Sequence, residues 1–175
     1  RIEAIATSCL VVAHIGLNPN KAEMLGGYRT LGKDFDGAKE LIETAIAAAR
    51  AGAFMILIES VPEEVSLAIQ EAVEKVDPKI IVMGIAAGRG LRGQLLISSD
   101  ILGFYKWLGN AKPRHFKTFK ISKYGLTGEE CVIDIFSSYV REVKEGMFPG
   151  EENAHFLPEK ERAEIKQYLR DFEKL

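Results

Sequence analysis

Only two cysteines, three histidines and one tryptophan occur among the 175 residues. Cys9 and Cys131 have neither metal-ligand spacing nor the density of a disulfide scaffold, so both are expected to be buried free thiols in a reducing compartment. An excess of either charge is lacking too: 23 Lys and Arg face 25 Asp and Glu, for a net charge of −2. That balance excludes the basic field that invites nucleic acid or an acidic membrane. No apolar run approaches the ~20 residues that span a bilayer, and no signal-peptide pattern opens the sequence. The expected address is the cytoplasm. Internal repeats and low-complexity linkers are also missing.

What is present is the composition of a globular α/β protein, 47% hydrophobic and 27% charged. Residues 1–175 read as one domain. The stretch "RIEAIATS" opens at Arg1, without an initiator Met, in what reads as the middle of a helix; a fragment, a processed chain or a truncated sequence is expected. "CLVVAHIGL" is a short, nearly continuous apolar run, as expected of a strand covered on both faces. Ala38, Leu41, Ile42, Ala45, Ile46 and Ala49 then recur at helical spacing, with Gly52 as the stop. "AFMILIES" is a second strand, Pro62 suits a helix start, and Val65, Ile69, Ala72 and Val73 form the next buried face. "KIIVMGI" is a third strand. Strands at about 9–15, 53–59 and 79–85 with helices between them predict right-handed βαβ units and a parallel sheet. Two further helices are striped by Val132 to Val143 and by Ile165 to Phe172. The pattern alone fits a small open doubly wound sheet or part of a (β/α)₈ barrel, which takes about 250 residues when complete.

In either architecture, function gathers at the C-terminal ends of the strands. Two polar residues stand at or near such ends: His14 in "VVAHIGL" and Glu59 in "ILIES". A carboxylate against apolar walls has its pKa raised by desolvation, which suits a general base. A neutral imidazole can donate a hydrogen bond to a substrate oxygen. The bland alternatives are a solvated strand end for Glu59 and a satisfied core histidine for His14, and spacing does not say whether the two converge. "MLGGYRTLGKD", with Gly26, Gly27 and Gly32, reads either as a mobile loop over a site or as an ordinary surface loop. "GIAAGRGLRG" offers Arg89 and Arg92 to an anion, yet lacks a phosphate-loop signature, and solvated arginines are the default. "PRHFKTFK" reads as a solvated strand. His115 and His155 have no spaced ligand partners, so no metal site follows from the sequence.

Five ordered motifs, "HIGLNPN", "GGYRTLGKD", "ARAGAFMILIESVP", "GQLLISSDILGF" and "EGMFPGEEN", together resemble the C-terminal portion of the ketopantoate hydroxymethyltransferase family. The resemblance covers Arg1 to about His155 and leaves residues 156–175 as a helical extension. It implies an α/β fold of the (β/α)₈ TIM-barrel type, of which this chain supplies roughly the second half plus C-terminal helices. It also implies transfer of a one-carbon unit from 5,10-methylenetetrahydrofolate to 3-methyl-2-oxobutanoate, giving 2-dehydropantoate for coenzyme A synthesis. Glu59 matches the family's general base and His14 its substrate-contacting histidine. Magnesium, chelated by the keto acid, is the implied cofactor, and a homo-oligomer the implied assembly.

Several positions depart from the family pattern. Its metal-binding acids, substrate-contacting serine and active-site lysine belong to the N-terminal half, outside this sequence, so this chain alone is expected to hold no metal and to be catalytically incomplete. Ala13 and Ala86 stand where the family has Gly, Arg92 replaces an Asp near the expected substrate mouth, and His155 is displaced. Two other readings are a non-catalytic paralogue or partner subunit, and a C–C lyase of the phosphoenolpyruvate mutase and isocitrate lyase group. Such lyases carry a loop cysteine, a setting that neither Cys9 nor Cys131 has in the sequence pattern.

Overall fold

The structure, a computed structural model, describes residues 1–104 and 114–172. Pro113 of the "PRHFKTFK" stretch and the last three residues of the C-terminal extension fall outside that range. Four strands, β1 (Val12–Gly16), β2 (Met55–Glu59), β3 (Ile81–Ile85) and β4 (Gly93–Gln94), form one sheet in the order β1-β2-β3-β4. All neighbours are parallel, with Gly16 opposite Glu59 and Glu59 opposite Ile85. A short helix α1 (Ile2–Ala6) precedes β1; α2 (Phe35–Arg50) joins β1 to β2, and α3 (Glu63–Val76) joins β2 to β3.

Local chemistry sets these boundaries. The Asp34 carboxylate caps α2 by accepting from the Gly37 N–H at 2.8 Å. Ala51 and Gly52 end it, the latter at φ +94°, where a Cβ is penalised. Pro62 sits just outside α3, whose first turn carries Glu63 and Glu64 against the positive end of the helix. Helices α4 (Ser98–Leu102), α5 (Gly128–Lys144) and α6 (Glu159–Phe172) complete the chain. The Thr127–Glu130 capping box starts α5, and α6 packs on both α2 and α3.

Among the described residues, one face of the sheet is covered. Ala13, Ile15, Ile56, Ile58 and Val82 are buried against Ile42, Ala45, Ile46, Val65, Ile69 and Val73 of α2 and α3. This corrects the expectation of strands covered on both faces. On the opposite face Val12 is 47% exposed and Ile81 37%, with Met55, Leu57 and Met83 half-buried. In a closed barrel that is the inward face, filled by side chains from all eight strands. Four parallel strands with helices on one side are half of such a barrel. A second cluster, Leu96, Ile101, Phe119, Ile135 and Phe148, joins α4 and α5.

Other expectations fail on specific contacts. Cys9 is exposed, in the connection entering β1, and Cys131 is half-buried on α5, so neither is a buried thiol. Residues 114–120 form no strand, and Phe116 and Phe119 are buried rather than solvated. Among the described residues, no helix is long and apolar enough to cross a membrane.

Candidate active site

Both strand-end residues lie on the inward face of the half-barrel, at its C-terminal end. His14 pairs with Leu57 in register and Glu59 with Gly16, so the two side chains meet on a diagonal between adjacent strands. Nε2 of His14 stands 3.1 Å from Oε2 of Glu59, with their side chains 33% and 18% exposed. Burial pushes the Glu59 carboxyl above the usual glutamate range, and the charge and hydrogen bond of His14 offset this only in part. The result is a half-buried carboxyl of raised proton affinity beside an imidazole.

The backbone around the pair is tightly constrained. Gly16 has φ +90°, and a Cβ there would lie 2.2 Å from the Glu59 carbonyl oxygen, so only glycine lets β1 pass this close. The Leu17 N–H donates to that same oxygen at 2.8 Å. Immediately after Glu59, Ser60 adopts φ +53°, a conformation costing about 1 kcal/mol or more for a non-glycine residue and found repeatedly at functional turns. Ser60 donates its N–H to the Ile85 carbonyl at 3.0 Å, which joins the ends of β2 and β3.

The glycine loop lies at this same mouth. The Leu31 N–H donates to the Ser60 carbonyl at 2.9 Å, and Ser60 Oγ to the Arg29 carbonyl at 3.4 Å. His155 comes to the mouth by a route that the sequence did not signal: its carbonyl accepts from the Glu63 N–H at 2.8 Å.

The two arginines of "GIAAGRGLRG" are not left for an anion. Arg89 makes a two-pronged pair with Glu63, Nη2 to Oε1 at 2.8 Å and Nε to Oε2 at 2.9 Å. Arg92 pairs with Glu74 at 3.0 Å and donates to the Pro78 carbonyl at 2.6 Å. Those partners close α3 and lead into β3, at the N-terminal end of the sheet. The expectation that Arg92 reverses a charge near the substrate mouth is therefore corrected; its side chain is held at the other end. Ala86 does stand at the mouth, at φ +52°, where glycine is the unstrained residue.

Among the described residues, no group of three or more His, Cys, Asp or Glu could hold a metal ion. Glu59 and His14 fall short of the oxygen-rich shell that magnesium requires, so the described residues do not by themselves fit that cofactor.

A parallel half-barrel with a half-buried carboxyl–imidazole pair at its strand ends belongs to the α/β-barrel class. Residues 2–151 match the sequence profile of ketopantoate hydroxymethyltransferase, and the chain belongs to that family. It is 39% identical over 154 residues to the 3-methyl-2-oxobutanoate hydroxymethyltransferase of Enterococcus faecalis, covering 87% of this chain and 51% of the relative. The protein of the same name from Clostridium acetobutylicum is 38% identical over 152 residues, covering 86% and 50%. That from Pseudomonas fluorescens is 39% identical over 143 residues, covering 82% and 49%. The chain thus spans about half the length of the curated relatives it matches.

Proposed function

We propose that this chain supplies the proton-transfer part of a hydroxymethyltransferase that converts 3-methyl-2-oxobutanoate to 2-dehydropantoate, with 5,10-methylenetetrahydrofolate as one-carbon donor. The rest of the barrel comes from residues outside this sequence. The carboxylate of Glu59 takes the proton from C3 of the keto acid, and the C–H electron pair passes into an enolate. Water cleaves both C–N bonds of the donor's methylene group, leaving tetrahydrofolate and a one-carbon unit at the formaldehyde level. The enolate carbon adds to that carbonyl carbon, and the carbonyl oxygen takes a proton to become the hydroxyl group of the product. Before substrate binds, His14 holds the Glu59 carboxylate through its Nε2–H; with the keto acid bound, that N–H turns to a substrate oxygen and leaves the carboxylate free to take the proton. The chemistry assigned to this chain is the proton transfer at the Glu59–His14 pair.

One observation carries the reading: the 3.1 Å approach of His14 to a carboxyl whose proton affinity burial has raised. A base of raised pKa that remains ionised at working pH accepts a carbon-bound proton more readily than an ordinary glutamate. Exchange of the C3 hydrogen of 3-methyl-2-oxobutanoate into heavy water isolates this step from one-carbon transfer. In the complete protein, Glu59→Gln should slow exchange by about 10²–10⁴-fold while the keto acid still binds. His14→Ala should weaken binding as well as rate. Exchange unchanged in Glu59→Gln would overturn the assignment.

A further inference from the structure

Three segments far apart in sequence are drawn to the turn that follows Glu59. The glycine loop is tied to it by the Leu31 N–H on the Ser60 carbonyl, and the segment before α6 by the Glu63 N–H on the His155 carbonyl, at 2.9 and 2.8 Å. Arg114 is joined to that second segment twice: its Nη1 donates to the Ala154 carbonyl at 3.4 Å, and its own carbonyl accepts from Asn153 Nδ2 at 2.7 Å. Asn153 is buried, at 7% exposure, and its Oδ1 accepts from the Gly150 N–H, so the two ends of its amide tie the Arg114 carbonyl to the Gly150 backbone.

Lys33, Arg114 and His155 therefore share one rim of the mouth above Glu59. Lys33 and Arg114 are exposed, and among the described residues neither has a carboxylate partner. His155 is half-buried and is held below the usual histidine range by burial first, then by the charges of Arg114 and Lys33. Farther along, His115 faces Asp100, and His155 adds its own effect on His115. Arg89 and Arg92 are paired with Glu63 and Glu74, whereas Lys33 and Arg114 have no carboxylate partner among the described residues.

We propose that Lys33, Arg114 and His155 form an anion subsite on the rim, which receives a chain of carboxylates extending from the one-carbon donor. The assignment rests on the proposed transferase reading for the identity of that donor. The reacting end of a donor near Glu59 would leave its γ-glutamyl tail to run outward over the rim, where exposed cations attract charge without the desolvation cost of burial.

The test is an NMR titration of the histidine ring signals in the protein carrying this segment, with His155 assigned by its loss in His155→Gln. Tri-γ-glutamate should raise the His155 midpoint by about half a pH unit, because a bound anion favours the imidazolium. Inorganic phosphate at matched ionic strength should move it less. Lys33→Ala and Arg114→Ala should each weaken the tri-γ-glutamate effect about two- to fivefold, with Lys33→Glu more severe and Arg114→Lys partly restoring it. No displacement of His155, or a displacement indifferent to Lys33 and Arg114, would overturn the subsite. Equal displacement by phosphate would overturn the carboxylate-tail assignment. The readout needs no turnover, so it stands or falls separately from the exchange assay on Glu59.

Discussion

Glu59 and Glu63 are four residues apart, on either side of one turn, and their surroundings push their carboxyls in opposite directions. Glu59 ends β2 on the inward face, where burial raises its proton affinity and the imidazole of His14 restrains the rise. Glu63 begins α3 on the outward side. Burial pushes it up as well, but the hydrogen bonds and charge of Arg89 outweigh burial and hold it below the usual range. It also accepts the Arg89 backbone N–H at 2.8 Å, which ties the loop after β3 to the start of α3. A saturated carboxylate braces the fold; a carboxylate with one restraining partner keeps capacity for a proton.

The largest expected effect separates the two by function. Glu59→Gln should remove most turnover in the complete protein, about 10²–10⁴-fold, whereas Glu63→Gln should leave turnover near the parent value. A loss of similar size in both would erase the comparison. In stability the order reverses. Glu63→Gln weakens a charge-assisted fork and should cost about 1–2 kcal/mol, read as a lower denaturant midpoint at pH 7.

Smaller, but more diagnostic, is the pH dependence of stability. The raised pKa of Glu59 means that the folded state favours its neutral form, so its contribution is most favourable below about pH 4.3 and fades as pH rises through the folded value. Glu59→Gln, neutral at every pH, should therefore stabilise the chain near pH 7, with the gain vanishing below about pH 4. The depressed pKa of Glu63 has the opposite sign: its contribution is present above about pH 4.3 and is lost as pH falls through the lowered value. Glu63→Gln should accordingly cost less as the pH falls. Parallel pH profiles of the two variants would contradict the assigned environments.

Much of this architecture was legible before any coordinates. Continuous apolar runs located β1, β2 and β3, and helical spacing located the buried faces of α2 and α3. Glu59 stood out because a carboxylate interrupts the apolar pattern at a strand tip. Its approach to His14 was not legible, since the diagonal depends on the register of β1 against β2, which hydrophobic pattern leaves open. Strand β4 has two residues, Gly93 and Gln94, and no apolar run to announce it. The carboxylate partners of Arg89 and Arg92 lie on α3, 26 and 18 residues away, so local composition suggested free cations where the fold makes ion pairs. Phe116 and Phe119 are buried by contact with segments remote in sequence, against the polar look of their neighbours.

The most direct measurement is a carboxyl ¹³C titration that follows Glu59 and Glu63 in a single sample, with each signal assigned by its Gln variant. The account predicts a Glu59 midpoint above about 4.3 and a Glu63 midpoint below it, with Glu59 rising further in His14→Ala as the restraining partner is lost. A Glu59 midpoint at or below that of Glu63 would contradict the claim that this strand-end carboxylate is set apart to move a proton.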